Sequence, residues 1–250
     1  MTDPRQDLWE KNALWWQENF TQGVDPEYEE QIIPLLERHL DQAHKVLDIG
    51  TGDGQLTRVI KSYQSSNYNP QNLIIGIDPT DTLLKRASSL DNKINYVRGL
   101  AELLPFVDAS FDTAIACLVF EHIDYFEEAI LEISRVLEPG GSFLFFLNHP
   151  IMQSPGSGWI EDHILQENYF RIGPYLESSS IVEEVDKGIF IPFIHRPISL
   201  YVNALINSNL RIDSMQEPPP PVGFINKAFE YNNVDKIPRL LFIKATKLKI

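Results

Sequence analysis

The chain predicts an α/β domain built on a parallel sheet, and three observations carry that prediction. Between Lys45 and Leu147, short apolar runs alternate with amphipathic stretches, as in successive β-α-β units. The run Val46-Leu47-Asp48-Ile49 breaks into Gly50, Gly52 and Gly54, and helical spacing restarts at Gln55, so a buried strand turns sharply into a helix. Pro139-Gly140-Gly141 then stops an amphipathic helix ahead of an apolar run suited to a central strand.

The elements follow in order. Residues 8–40 read as helical cover rich in aromatics: Trp9, Trp15, Trp16, Phe20 and Tyr28. Most are expected to pack the helix onto the domain, with Trp15, Trp16 and Phe20 as candidates for a lid over a cleft. A strand at 46–49 leads into a helix at 54–63, and a second at 73–77 into a helix at 83–89. Third and fourth strands are expected at 94–97 and 111–117. The helix at 126–137 places Ile130, Ile133 and Leu137 on one side, and 142–147 is the fifth strand. Region 150–198 differs in character, with scattered aromatics, Pro and Gly, and one hairpin (181–186 and 189–195) turning at Lys187-Gly188. It reads as an insertion. Pro197 opens a helix through Leu200, Val202, Leu205 and Ile206, and strands at 210–215 and 239–247 close the chain. Between them, Pro218-Pro219-Pro220-Pro221 is excluded from a sheet interior.

At 250 residues the chain suits one large domain, and 43% hydrophobic and 22% charged residues are ordinary for a globular protein. Lys plus Arg number 21 against 35 Asp plus Glu, a net charge of −14, which argues against a non-specific grip on nucleic acid or anionic membrane. Lys244, Lys247 and Lys249 read as a solvated tail. The single Cys117 rules out an intrachain disulfide and a cysteine-based metal site, and Glu121-His122 has no companion ligands at metal spacing. No metal is therefore expected. The start is polar and acidic, and no apolar run reaches membrane-spanning length, so a cytoplasmic protein is expected. Oligomeric state is not legible.

Backbone N–H groups at the start of a helix favour an anion or another acceptor, so the glycine turn reads as a nucleotide cradle. No Gly-Lys-Ser/Thr follows, which excludes a P-loop. The third glycine comes one residue too early for G-x-G-x-x-G, and Asp78 follows Asp48 by 30 positions where a dinucleotide fold expects about 20. Both points oppose NAD. An acid ending the second strand can still accept from both hydroxyls of a ribose.

Four blocks in this order resemble the class I S-adenosylmethionine-dependent methyltransferases, in particular the small-molecule group that includes the ubiquinone and menaquinone biosynthesis methyltransferases. They are Val46-Leu47-Asp48-Ile49-Gly50-Thr51-Gly52-Asp53-Gly54, Ile75-Gly76-Ile77-Asp78, Ala101-Glu102-Leu103-Leu104-Pro105-Phe106 with Ser110-Phe111-Asp112, and Glu132-Ile133-Ser134-Arg135-Val136-Leu137-Glu138-Pro139-Gly140-Gly141. The resemblance implies a three-layer Rossmann-like sandwich. Its seven-stranded, mostly parallel sheet would have an antiparallel last strand, an N-terminal helical cover and an insertion after strand five. It implies a single domain over 1–250, with cover at 1–41, a cofactor half at 45–149, the insertion at 150–198 and the last helix and strands at 199–250.

S-adenosyl-L-methionine is the implied cofactor and S-adenosyl-L-homocysteine the product. Asp48 and the turn of Gly50, Thr51, Gly52 and Gly54 would hold the amino acid end, and Asp78 the ribose, with Pro79 and Thr80 near adenine. Ala101 and Glu102 would border adenine, and Cys117 and Leu118 would lie beneath the sulfonium with His122 close by. Relatives commonly carry Asp before the Ala-Glu pair, where this chain has Leu100, and Thr51 replaces a common Cys.

The expected reaction is in-line methyl transfer to O, N or C of a small-molecule acceptor. It needs a general base only if the acceptor must lose a proton. His122, His149 and His195 are the base candidates, each with a capping or structural role as the alternative. The insertion is expected to form the acceptor pocket through Trp159, Tyr169, Arg171, Tyr175 and Arg196, suited to a planar, partly apolar molecule with an anionic group. The competing readings are an RNA or protein methyltransferase, a non-catalytic cofactor-binding regulator and, more distantly, an NAD-dependent oxidoreductase.

Overall fold

The first strand, β1 (Lys45–Ile49), buries Val46, Leu47, Asp48 and Ile49 in succession, so both of its faces must be covered. In the computed structural model, which describes residues 4–21, 25–66, 72–228, 231 and 233–249, it sits inside a seven-stranded sheet. β2 (Leu73–Asp78), β3 (Asn95–Arg98), β4 (Phe111–Cys117) and β5 (Leu137–Asn148) all run parallel to it. The insertion adds two hairpins, β6 (Gly158–Asp162) with β7 (Glu167–Arg171), and β8 (Ser179–Asp186) with β9 (Ile189–His195). β10 (Leu210–Gln216) and β11 (Leu240–Lys247) complete the sheet in the order β10-β11-β5-β4-β1-β2-β3, with β11 antiparallel to both neighbours. The predicted architecture, antiparallel last strand included, is the observed one.

Side-chain alternation along β5 builds the layers. Phe143, Phe145 and Leu147 join a core with Leu47, Phe111 and Tyr201, while Leu144 and Phe146 join the opposite core with Val46, Ile60 and Phe242. The helices covering these faces are α1 (Pro4–Phe20), α2 (Ile33–Glu37, entered through a π turn at Tyr28–Ile32), α3 (Gln55–Ser66), α4 (Asp81–Leu90) and α5 (Phe126–Val136). The short α6 (Pro150–Gln153), α7 (Ile198–Asn207) and α8 (Val222–Lys227) follow.

Three expectations change. Pro139-Gly140-Gly141 lies inside β5 and is not a helix stop: α5 ends at Val136, and Leu137 already pairs with Phe111. The register shifts between Phe111 and Thr113, and Gly140 at φ +89° accommodates that irregularity. The β6–β7 hairpin escaped the sequence because its turn holds no glycine; Gln166 takes the positive φ of +53° itself. Trp15 is not a lid residue, since its indole N–H donates to Asp186 Oδ2 at 3.0 Å on β8. Together with Asn12 Nδ2 donating to the Phe190 carbonyl at 2.8 Å, that bond ties α1 to the insertion. Among the described residues, no helix is long and apolar enough to cross a membrane, and no group of His, Cys, Asp and Glu is arranged to hold a metal ion.

Candidate functional site

At the C-terminal end of β1 the chain must reverse within a few residues. Gly50 and Thr51 both donate their N–H to the Ile77 carbonyl, at 2.8 and 3.0 Å, pinning the turn to β2. The glycines divide the work. A Cβ on Gly50 (φ +68°) would stand 2.3 Å from a Val119 methyl, and one on Gly54 2.3 Å from the Tyr96 hydroxyl, so these two are packing glycines. Gly54 accordingly does not line the cleft, unlike its expected partners. Gly52 (φ +56°) has open space where its Cβ would be, on the cleft side. Gly52→Ala should therefore cost only the backbone strain of about 1–2 kcal/mol while weakening cofactor binding, whereas Gly50→Ala should lower the melting temperature far more. Melting curves and calorimetry with S-adenosylhomocysteine separate the two effects.

Two buried carboxyls flank the turn. Asp48 accepts from Thr51 Oγ1 at 2.7 Å, yet burial, the larger effect, pushes its pKa up to about 7. Asp78 accepts the Gly52 N–H at 3.0 Å and the Thr80 N–H at 2.8 Å; burial raises its pKa, and those bonds pull it partly back. Asp48, Gly50, Thr51, Gly52, Asp78, Pro79, Thr80, Ala101, Glu102, Cys117, Leu118 and His122 all line one cleft, with Leu100 beside them. A cradle open at Gly52, between carboxylates at the ends of β1 and β2, fits the amino acid and ribose ends of S-adenosylmethionine.

On the opposite wall stand two of the three expected lid aromatics, Trp16 and Phe20, joined by Trp9 and Tyr28, which the sequence reading leaves to packing. Trp9, Trp16, Phe20 and Tyr28 face the cleft from α1 and the turn after it. Trp16 stacks on Phe20 at 4.4 Å, and Trp9 meets Trp16 edge-on at 5.3 Å. Positions 9, 16 and 20 share one face of a helix and Trp15 does not, a spacing that could have singled them out.

The three histidines part company. His122 lines the cleft, and its Nδ1 donates to the Pro192 carbonyl at 2.6 Å, leaving Nε2 unprotonated. Burial pushes its pKa down to about 4, so the ring is neutral near pH 7. His149 is fully buried and is no base for the cleft. Its Nδ1 accepts the Ile151 N–H at 3.2 Å, capping α6, and its Nε2 meets Glu217 Oε1 at 2.7 Å. His195 is likewise buried, with Nε2 donating to the Tyr175 carbonyl at 2.8 Å. Neither lines the cleft.

The expected acceptor residues lie elsewhere too. Trp159 stacks on Tyr231 at 5.2 Å, Tyr169 is 45% exposed, and Arg171 Nε donates to the Gly156 carbonyl at 2.9 Å. The Tyr175 hydroxyl oxygen accepts the Ile198 N–H at 3.0 Å. None of these lines the cleft, because the insertion packs behind α1 and the segment after β4. Its contribution is bracing. Arg196 is 5% exposed and donates to the carbonyls of Phe120 at 2.9 Å, Ile123 at 2.6 Å and Asp124 at 3.0 Å, with its guanidinium 4.4 Å from the Phe126 ring centre. It clamps the segment that carries His122. Arg196→Gln should lower kcat about tenfold and lower the melting temperature, because buried hydrogen bonds of a charged group are worth roughly 1.5–3 kcal/mol each. The dissociation constant for S-adenosylhomocysteine, measured in parallel, should stay nearly unchanged.

Residues 47–145 match the model of a family described as a methyltransferase domain. The chain is 30% identical over 145 residues to the uncharacterized methyltransferase YcgJ of Bacillus subtilis, covering 56% of this chain and 53% of that one. It is 28% identical over 159 residues to a ubiquinone/menaquinone biosynthesis C-methyltransferase of Methylobacterium nodulans, covering 62% and 60%. These matches thus span about half of the relatives' length. In structure it resembles S-adenosylmethionine-dependent methyltransferases of Mesorhizobium loti (TM-score 0.72, 24% identity, 89% of this chain and 98% of that one) and, putatively named, of Listeria monocytogenes (TM-score 0.74, 20% identity, 91% and 100%). At such identity the likeness speaks to the fold. The sheet order and the glycine turn define a class I methyltransferase fold. Residues 47–145 match a methyltransferase domain, and the chain shares its fold with S-adenosylmethionine-dependent methyltransferases.

Proposed function

We propose that the chain methylates a small molecule, using S-adenosylmethionine as donor, in the cytoplasm. The observation that carries the reading is a single cleft with the Asp48–Gly52–Asp78 cradle on one side and the Trp9–Trp16–Phe20 wall on the other. When bound, S-adenosylmethionine supplies a methyl group already activated on a sulfonium. The chain then has to orient and to exclude water. Asp48 would hold the ammonium of the amino acid end, and Asp78 the ribose hydroxyls. The backbone of the turn would take the carboxylate, and Cys117 and Leu118 would form the floor beneath the reacting carbon. The α1 aromatics would close the cleft over the acceptor.

The test is methyl-labelled donor incubated with the protein and a cell extract, separated by size before counting. Label in the small-molecule fraction is expected. Label confined to RNA or protein would overturn the acceptor class, and S-adenosylhomocysteine binding without any transfer would point to a non-catalytic module.

A further inference from the structure

The groups assigned to the cofactor lie under a roof. Asp48, Asp78, Thr80 and Cys117 are at most 7% exposed, and Trp9, Trp16 and Phe20 of α1 close over them. The space between is about 160 Å³, below the roughly 300–1,000 Å³ of pockets that enclose small ligands, so the roof has to lift for a cofactor to pass.

The joints of α1 show where it lifts. On one edge, Glu10 accepts the Thr82 N–H at 3.2 Å, together with the Thr82 hydroxyl, in the first turn of α4. On the other edge, Asn12 Nδ2 reaches the Phe190 carbonyl and the Trp15 indole reaches Asp186, both on the β8–β9 hairpin. That hairpin is itself fastened to the body. Its Pro192 carbonyl accepts from His122, Ile191 and Ile194 are buried, and Arg196, directly after β9, holds the carbonyls of Phe120, Ile123 and Asp124. The hairpin is a fixed post, and α1 is the part free to move. The Trp15–Asp186 bond is exposed, so water replaces it at small cost when it breaks. Asn12, Trp15, Asp186 and Phe190 all lie outside the cleft lining. Their bonds are therefore available with cofactor bound or released, and they stabilise the closed roof equally in both states.

We propose that the β8–β9 hairpin is a latch on α1: the Trp15–Asp186 and Asn12–Phe190 bonds hold the roof shut, and their opening sets the rate at which cofactor enters and its product leaves. The proposal rests on the reading of the cleft as the S-adenosylmethionine site. A latch indifferent to the ligand changes rates and leaves the equilibrium alone, so weakening it speeds entry and exit by the same factor.

Two variants of the full chain test the latch. Trp15→Phe removes the indole N–H and keeps a ring beside Phe20, and Asp186→Asn keeps an acceptor for the Lys187 N–H while giving up the charge. Rapid filtration with isotopically labelled S-adenosylhomocysteine should show each variant raising both the association and the dissociation rate about threefold to tenfold, with the dissociation constant from calorimetry within about twofold of the wild type. The double variant should be no faster than Trp15→Phe alone, because both changes cut the same bond. Glu183→Gln, exposed on the same hairpin, should leave both rates as they are. Asp186→Asn carries the test alone if Trp15→Phe does not fold. Unchanged rates would overturn the latch. A faster dissociation matched by an equal loss of affinity would also overturn it, because the bonds would then form only over bound ligand. Failure of S-adenosylhomocysteine to bind the wild type would overturn the cofactor reading, and the latch with it.

Discussion

Asp78→Ala should raise the dissociation constant of S-adenosylhomocysteine by roughly a hundredfold or more. The carboxylate stands at the end of β2, buried, with both oxygens already oriented by the N–H groups of Gly52 and Thr80. Each oxygen keeps lone-pair capacity for a ribose hydroxyl. Two charge-assisted hydrogen bonds at about 1.5–3 kcal/mol each account for the loss, because alanine leaves both ribose hydroxyls facing an apolar gap. The same substitution frees the Gly52 N–H, so the turn should loosen and the melting temperature fall. Asp78→Asn separates the two roles: it retains one acceptor oxygen and should lose an intermediate amount of affinity. Calorimetry checks the affinities, and circular dichroism establishes that each variant is folded. A folded Asp78→Ala protein with unchanged affinity would remove the ribose role.

What was legible in the chain follows from the range of the interactions involved. The glycine turn is readable because its geometry is set within nine consecutive residues, and β5 because its alternation alone builds two cores. His149 could not be read, because the group that occupies its Nε2, Glu217, arrives from just beyond β10, 68 positions downstream. Arg196 was equally opaque. Its three carbonyl acceptors lie more than 70 positions upstream, and nothing local distinguishes a guanidinium aimed at a substrate from one aimed at backbone. Trp9 stands between these cases. Helical spacing links it to Trp16 and Phe20, but only the packing of α1 against β9 and the turn at His122 turns that face into a cleft wall.

The unliganded protein should become less stable as pH rises from about 5 to about 8, and its cofactor affinity should move the opposite way. Glu27, Asp48 and Glu121 each have a pKa raised to about 7, with burial as the first cause in all three. In the unfolded chain such groups titrate near their usual values of about 4. Between those limits the folded protein holds more protons than the unfolded one, so unfolding becomes easier as protons are withdrawn, and the loss is complete once pH exceeds the folded values. With about 1.4 kcal/mol for each unit of pKa difference, and neighbouring charges that are not additive, the total is on the order of several kcal/mol. That corresponds to roughly 10 °C in melting temperature for a domain of this size. Glu121→Gln should flatten the pH dependence and melt above the wild type near pH 8, because it keeps the shape and removes the charge that burial opposes. A wild-type melting temperature that stays level or rises across this range would refute the assignment. Cofactor binding reads Asp48 separately. A ligand ammonium needs the ionised carboxylate, so S-adenosylhomocysteine affinity should climb as pH passes through about 7, with proton release on binding at lower pH. Affinity that is the same at about pH 6 and about pH 8 would mean that Asp48 orders the turn through Thr51 and leaves the ammonium to backbone carbonyls.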